Sequence, residues 1–102
     1  MTFLSKRLVR EFISIMQATN INDLAALKQA IHSQNYHLIN ELTHKLKGAA
    51  RIVQDEETLF ICELLEDGVH FSEILYCQQV FIDLEQSILE CNGIFDQIIL
   101  AS

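Results

Sequence analysis

The sequence predicts an all-α fold, an antiparallel up-and-down four-helix bundle with an additional N-terminal helix. The chain of 102 residues has no proline and three glycines, so few residues interrupt helices. The apolar-polar alternation typical of strands never persists for more than a few residues. Half of the residues are hydrophobic, which suffices for one core, and we expect residues 1–102 to form a single domain.

The first two helices are predicted on either side of a polar cluster at residues 20–23. The first helix runs from about Thr2 to Ala18, and five apolar side chains are expected to point inward: Leu4, Leu8, Phe12, Ile15 and Met16. The cluster contains two asparagines and an aspartate, which commonly cap helices. We therefore expect it to end the first helix and to begin a short second one, from about Asp23 to His32.

The third helix follows a turn and cap at residues 33–35 and continues to Val53. Apolar residues recur in it at three- and four-residue steps, at Ile39, Leu42, Leu46, Ala49 or Ala50, and Val53. Asp55 is the predicted N-cap of the fourth helix, whose first turn contains two glutamates that favour the helix dipole. This helix is expected to end at Asp67, with Gly68 as its C′ residue.

The last helix is predicted to begin after a cap at Ser72. Its apolar positions alternate in steps of three and four, as in a packing seam, at Ile74, Cys77, Phe81, Leu84, Ile88, Cys91, Phe95 and Ile98. The helix is expected to fray or end at residues 92–93, which are Asn-Gly. Since the connections are short, neighbouring helices should be antiparallel.

Charge and cysteine content exclude several classes of function. The net charge of -7 disfavours binding to nucleic acids and to anionic membranes, and no apolar stretch is long enough to span a bilayer. The three cysteines are odd in number and lack a C-x-x-C spacing, so they indicate reduced core residues rather than a zinc site or disulfides. A cytoplasmic monomer is the simplest expectation.

His44 is the most informative residue of the chain. It lies two positions from both Leu42 and Leu46, so it points about 200° away from the buried stripe of its helix. Lys47, Gly48 and Arg51 follow at i+3, i+4 and i+7 and share its face. Glycine inside a helix costs about 1 kcal/mol relative to alanine, so Gly48 is expected to keep this surface open for a macromolecule.

Glu66 is the predicted partner of the His44 ring. If the chain reverses near Asp55, His44 and Glu66 lie equally far from the turn and should be level with each other. A carboxylate at the edge of the interhelical seam needs a partner, and a hydrogen bond to one ring nitrogen would leave the other nitrogen outward as a nucleophile.

The motif His44-x-Leu46-Lys47-Gly48-x-Ala50, with Glu66 in a later Leu-Glu pair, closely resembles histidine-containing phosphotransfer (HPt) domains. The resemblance covers essentially the whole chain. The run at residues 47–53 is most similar to the C-terminal HPt domain of unorthodox hybrid sensor kinases of the virulence-regulating type. This chain departs from the family at Gln54, where a glycine is often found nearby, and at Arg51, where a small residue is common.

The resemblance implies a phosphorelay intermediate. His44 would accept a phosphoryl group from an aspartate of one receiver domain and pass it to a response-regulator receiver. Lys47 would neutralise the phosphate and Glu66 would hold the ring, while Gly48, Lys45, Arg51 and Glu41 would form the partner-binding surface. Such a domain is a carrier rather than an enzyme: it has no nucleotide site and needs no cofactor, since Mg²⁺ would be bound by the receiver. Its parent could be an inner-membrane sensor kinase, with this part in the cytosol.

Two other functions are compatible with the same residues. A helical adaptor could dock partner proteins through the basic strip without being phosphorylated. Glu41-x-x-His44 is also half of a carboxylate-bridged di-metal motif, with His37 on the same face. However, that site needs a second such pair and further inward glutamates, and His44 points outward, so the sequence predicts no metal site.

Overall fold

The computed structural model describes residues 3–101 and confirms the all-α fold. It contains four helices, α1 (Phe3–His32), α2 (Tyr36–Ile52), α3 (Glu56–His70) and α4 (Ile74–Ala101), and no strand occurs among these residues. Each helix packs against two others, in the closed order α1, α2, α3, α4 and back to α1. Short turns join the helices, so neighbours run antiparallel around a single core. No helix in this range has both the length and the apolar character needed to cross a bilayer.

The predicted break at residues 20–23 is wrong, because α1 runs through it without interruption. The residues expected to form an additional N-terminal helix are the first half of α1. Asparagine and aspartate lower helix propensity by only a few tenths of a kcal/mol relative to most residues, and the segment has no glycine or proline. Inward packing of Leu24, Leu27 and Ile31 holds the helix together on the far side of the cluster.

The core lies where all four helices are present. Its fully buried side chains include Leu27, Ile39, Leu46, Leu65 and Leu84. The predicted stripe of α2 is confirmed from Ile39 to Ala50, whereas Val53 is the half-buried residue that follows the end of the helix at Ile52. Burial raises the pKa of the Cys62 thiol to about 12 and that of Cys91, which also lies beside Asp55, to about 11. These thiols stay protonated near neutral pH, as expected for core cysteines.

The two long helices extend past the two short ones. A cavity of about 20 Å³ is lined by Met16 of α1, Val53 of the α2–α3 turn and Phe95 of α4. The turn therefore lies at the same height along the bundle axis as Met16 and Phe95. Beyond this level no described residue of α2 or α3 covers the inner faces of α1 and α4. Four predicted core positions are therefore exposed to 52–68%, which corrects their assignment: Leu8, Phe12, Ile15 and, at the end of the α4 seam, Ile98. The predicted start at Thr2 and the inward position of Leu4 lie outside the described residues and side chains.

Asn35 and Asp55 cap α2 and α3 as predicted. Their side-chain oxygens accept hydrogen bonds from the backbone N–H groups of Leu38 and Thr58, each at 3.2 Å. The caps satisfy amides that would otherwise lack a partner in the first turn. They also fix the residue at which each helix begins, and with it the rotational position of every later side chain.

Ser72 and Gly68 do not have their predicted roles. Ser72 lies outside α4, whose first backbone bond is made to Glu73. Gly68 is buried within α3 rather than beyond its end, and a Cβ atom there would lie 2.8 Å from Tyr76 Cδ1 and 2.9 Å from Cys77 Sγ. The glycine is therefore explained by close packing of α3 on α4. Gly93 does not end α4, which continues to Ala101.

All three interhelical turns have the same geometry. Gln34, Gln54 and Ser72 have φ angles of 54–58°, in the left-handed region, and each is followed by the residue before the next helix. In each turn, that following residue donates its backbone N–H to the carbonyl five positions earlier, as Asp55 does to Ala50 at 2.9 Å. The sequence has no glycine near Asp55, so Gln54 adopts the left-handed conformation that a glycine would favour there.

A Gln54→Gly substitution is expected to stabilise the fold by about 0.5–1 kcal/mol. The left-handed conformation costs a residue with a Cβ atom about 1–2 kcal/mol, of which the extra freedom of glycine in the unfolded chain offsets a part. Urea unfolding measures the change. Gln79→Gly, at an exposed position inside α4, is the matched control and should destabilise by about 0.5–1 kcal/mol. If both variants lose stability equally, the turn is not strained at Gln54.

Candidate functional site

His44 lies in the middle of α2, exposed on the outer face of the helix. Leu42 and Leu46, on either side of it in sequence, are buried and anchor α2 against the core. The prediction that the imidazole is reachable from outside is confirmed. Among the described residues its ring has no hydrogen-bond partner, so both ring nitrogens are available to an approaching molecule.

The two lysines next to His44 reach to opposite neighbours of α2. Lys45 lies 100° around the helix from His44, and its Nζ donates to Asp23 Oδ1 of α1 at 3.1 Å. Lys47 lies 60° around in the other direction, and its Nζ donates to Glu66 Oε1 of α3 at 2.8 Å. The histidine therefore stands between two cations, each held by a carboxylate of another helix. Asp23 was missed in this role, because its sequence context reads as a helix cap.

Glu66 contacts Lys47 instead of the His44 ring. Its side chain is 28% exposed at the edge of the α2–α3 interface, as expected, but its carboxylate forms an ion pair with the ammonium group. The predicted hydrogen bond to the imidazole is absent from the described structure. Lys47 is only 14% exposed, so the pair is shielded and fixes the side of His44 on which the ammonium lies.

Gly48 has no packing reason to be a glycine. It is helical, and a Cβ atom built there would meet nothing within 4 Å. An alanine would fit and would improve helix propensity by about 1 kcal/mol. Close packing of α3 on α4 explains Gly68, whereas no contact inside the domain explains why position 48 is a glycine.

Arg51 and Glu41 mark the two ends of the same face. Arg51 is exposed in the last turn of α2, where a cation also favours the helix dipole. Glu41 Oε1 lies 2.9 Å from His37 Nε2, and both side chains are more than half exposed. Such a surface pair contributes little to stability, so Glu41 can exchange its partner at low cost.

The charge of the chain is divided between its two halves. All seven lysines and arginines precede residue 52, whereas eleven of the fourteen acidic residues follow it. The helices α1 and α2 therefore carry the positive charge of an acidic protein, and α3 and α4 carry a large excess of carboxylates. An anionic group that approaches the domain is attracted to the side of His44 and repelled from the opposite side.

The site is a convex surface rather than a pocket. His44 lines none of the five main cavities and grooves between the described residues. Those residues also contain no cluster of three or more His, Cys, Asp or Glu side chains suited to a metal ion. An exposed nucleophilic imidazole flanked by cations can take up an anionic electrophile such as a phosphoryl group, and its convex setting suits delivery by another protein rather than capture of a small molecule.

Comparison with known proteins supports the same interpretation. The family model described as Hpt domain matches residues 11–90, which include all four helices in whole or in part. No curated protein and no solved structure matches the chain.

Proposed function

Since the chain belongs to the Hpt domain family, whose members carry phosphoryl groups in two-component signalling, we propose that His44 is its phosphoacceptor. His44 takes a phosphoryl group from an aspartyl phosphate of one receiver domain and passes it to a receiver aspartate of a response regulator. The observation that carries this proposal is the position of the ring, exposed at mid-helix between two anchored lysines and beside a bare glycine.

The transfer requires little covalent chemistry from the domain. A neutral ring nitrogen of His44 attacks the phosphorus in line, the bond from phosphorus to the aspartate oxygen breaks, and the aspartate leaves as a carboxylate. The reverse sequence with a second receiver regenerates the imidazole. Catalysis of such a step rests mainly on positioning and charge stabilisation. We expect the receiver to supply Mg²⁺, with no cofactor bound by this domain.

The residues around His44 assist transfer or bind the receiver. Lys47 neutralises charge on the phosphoryl oxygens, and Glu66 holds Lys47 in place rather than the ring. Gly48 admits the receiver, and Lys45, Arg51 and Glu41 contribute to its docking surface. Origin from a hybrid sensor kinase of the virulence type and a cytoplasmic location remain predictions, because the match is to the domain family as a whole.

The proposal is tested by mixing the domain with receiver domains that carry a radiolabelled aspartyl phosphate. Label should move to the domain and should be lost in acid but retained in base, as phosphoramidates are and acyl phosphates are not. Mass spectrometry of the labelled domain should place the phosphate on the peptide that contains His44. A receiver that binds the domain without transferring label would favour an adaptor instead.

A Lys47→Ala substitution is expected to slow transfer about tenfold or more, because it removes a cation beside the developing charge. Rapid-quench kinetics with a labelled receiver measure the rate. Lys28→Ala, at an exposed position of α1, is the control and should transfer at the parental rate.

Glu66→Gln separates the two roles that Lys47 could have. This change removes the charge of the carboxylate, but the amide oxygen can still accept the hydrogen bond from Lys47 and hold the ammonium group in place, so transfer should stay at the parental rate. Equal slowing by Lys47→Ala and Glu66→Gln would show that the pair matters only as a link between α2 and α3.

A further inference from the structure

The part of the molecule beyond the α2–α3 turn has unpartnered apolar faces. Residues of α1 before Met16 and of α4 after Phe95 extend past the level of the turn, and the α1 extension is about 20 Å long at 1.5 Å per residue. The exposed apolar side chains of these extensions, called the apolar tip, are Leu8, Val9, Phe12, Ile15, Ile98 and Leu100, which are 44–87% exposed. So many exposed apolar side chains at one end of a molecule are unusual for a monomer.

At the apolar tip α1 extends about 20 Å beyond the turn, and α4 extends about 9 Å. In the body of the domain, α2 and α3 cover the inner faces of α1 and α4, but none of their described residues lies beside the tip. An antiparallel helix about 20 Å long would cover the inner face of the α1 extension. The α1 extension of a second copy, related by a two-fold axis across the long direction of the molecule, is such a helix.

Charges at the two ends of the extension are complementary in this arrangement. Lys6 and Arg7 lie near the end of α1, about 15 Å beyond Met16, whereas Glu56 and Glu57 lie in the first turn of α3, at the base of the extension. Arg7 also forms an exposed ion pair with Glu11 of its own helix, at 3.7 Å, and such a pair can exchange partners at low cost. When two extensions lie side by side in opposite directions, the cationic end of each reaches the acidic base of the other. The two-fold axis makes this contact twice.

We infer that this end of the domain is a homodimer interface, in which the α1 extensions of two chains pack antiparallel, each beside the shorter α4 extension of its own chain. The apolar faces favour a partner of some kind, and the matching charges select a second copy of the chain over an unrelated one. The interface is separate from the centre of α2, so His44 of each chain stays exposed at the surface. This inference replaces the monomer expected from the sequence and does not depend on the proposed phosphotransfer.

Sedimentation equilibrium of the full chain from micromolar to millimolar concentrations should show a reversible monomer–dimer equilibrium. Phe12→Glu should weaken the dimer at least about tenfold, because a carboxylate would be buried against apolar side chains. Ile82→Glu is the matched control: Ile82 is similarly exposed, at 64%, but lies on α4 in the body of the bundle. Circular dichroism should show unchanged helix content for both variants.

A charge-swap experiment tests the arrangement itself. One variant carries Lys6→Glu and Arg7→Glu, and the other carries Glu56→Lys and Glu57→Lys. Each alone places like charges at both contacts of its homodimer and should be mainly monomeric at low ionic strength. An equimolar mixture places opposite charges at both contacts and should form a heterodimer, which salt weakens.

Three outcomes would overturn the inference. The chain could be monomeric at every concentration, the dimer could be lost with Ile82→Glu and kept with Phe12→Glu, or the mixed charge variants could fail to associate. If the chain is monomeric and Phe12→Glu weakens binding of a receiver domain instead, the apolar tip is a receiver contact. None of these results bears on labelling of His44, so the two proposals fail independently.

Discussion

A His44→Gln variant is expected to take up no label from a phosphorylated receiver domain. Glutamine is of similar size and polarity but has no nucleophilic ring nitrogen, so the bond to phosphorus cannot form. Because His44 is exposed and its side chain forms no hydrogen bond or ion pair with the described residues, the substitution should leave the fold intact. The thermal midpoint of the variant should therefore equal that of the parent, and loss of label then reports chemistry rather than unfolding.

The other three histidines are the controls. Each of His32, His37 and His70 is exposed, so their single glutamine variants should fold and take up label at the parental rate. Label on His44→Gln with the same lability in acid would rule out the assignment, and loss of label in His70→Gln would move it to α3. A receiver that still binds His44→Gln shows that docking and transfer are separate steps.

The position of His44 could be predicted because the signals for α2 are local. An N-cap at Asn35, a second cap at Asp55 and one apolar stripe between them fix where the helix begins and which side faces the core. Once Leu42 and Leu46 are buried, rotation of 100° per residue places His44 outward without further information.

The arrangement of α1 could not be predicted from local signals. The polar cluster at residues 20–23 resembles a cap, but a cap acts only where the backbone turns, and packing of Leu24 and Leu27 keeps it helical. The apolar residue Phe12 has the spacing of a core residue. Whether Phe12 is buried depends on how far α2 and α3 extend beside α1. At this end of the bundle both helices stop at the level of Met16, and that length is a property of the whole bundle.

The choice of partner for Glu66 also lies beyond sequence reasoning. Counting residues backward and forward from the α2–α3 turn places Glu66 level with His44 and also near Lys47, because the two are less than one helical turn apart. The longer lysine side chain reaches the carboxylate, and a charged donor makes a stronger hydrogen bond than a neutral imidazole. Helical register can predict which residues are level, but not which of two donors a flexible carboxylate selects.

A Gly48→Gln variant is expected to be more stable than the parent and at least about tenfold slower in transfer. Glutamine has a higher helix propensity than glycine by about 0.5 kcal/mol, and the space at Gly48 is open, so nothing in the domain opposes the side chain. The same side chain would stand one turn from His44, where a receiver must approach the ring. A gain in stability with a loss of function would show that the glycine is kept for the partner.

Gly93→Gln is the matched control, because Gly93 is also helical and a Cβ atom there also meets nothing within 4 Å. Both variants should unfold at higher urea concentration than the parent, but only Gly48→Gln should raise the receiver concentration needed for half-maximal transfer. Because the side chain obstructs the receiver without touching the imidazole, a small phosphodonor such as phosphoramidate should still label it. Parental transfer kinetics in Gly48→Gln would place receiver contact elsewhere on the domain, and equal slowing of both variants would point to a general effect of stiffening the helices.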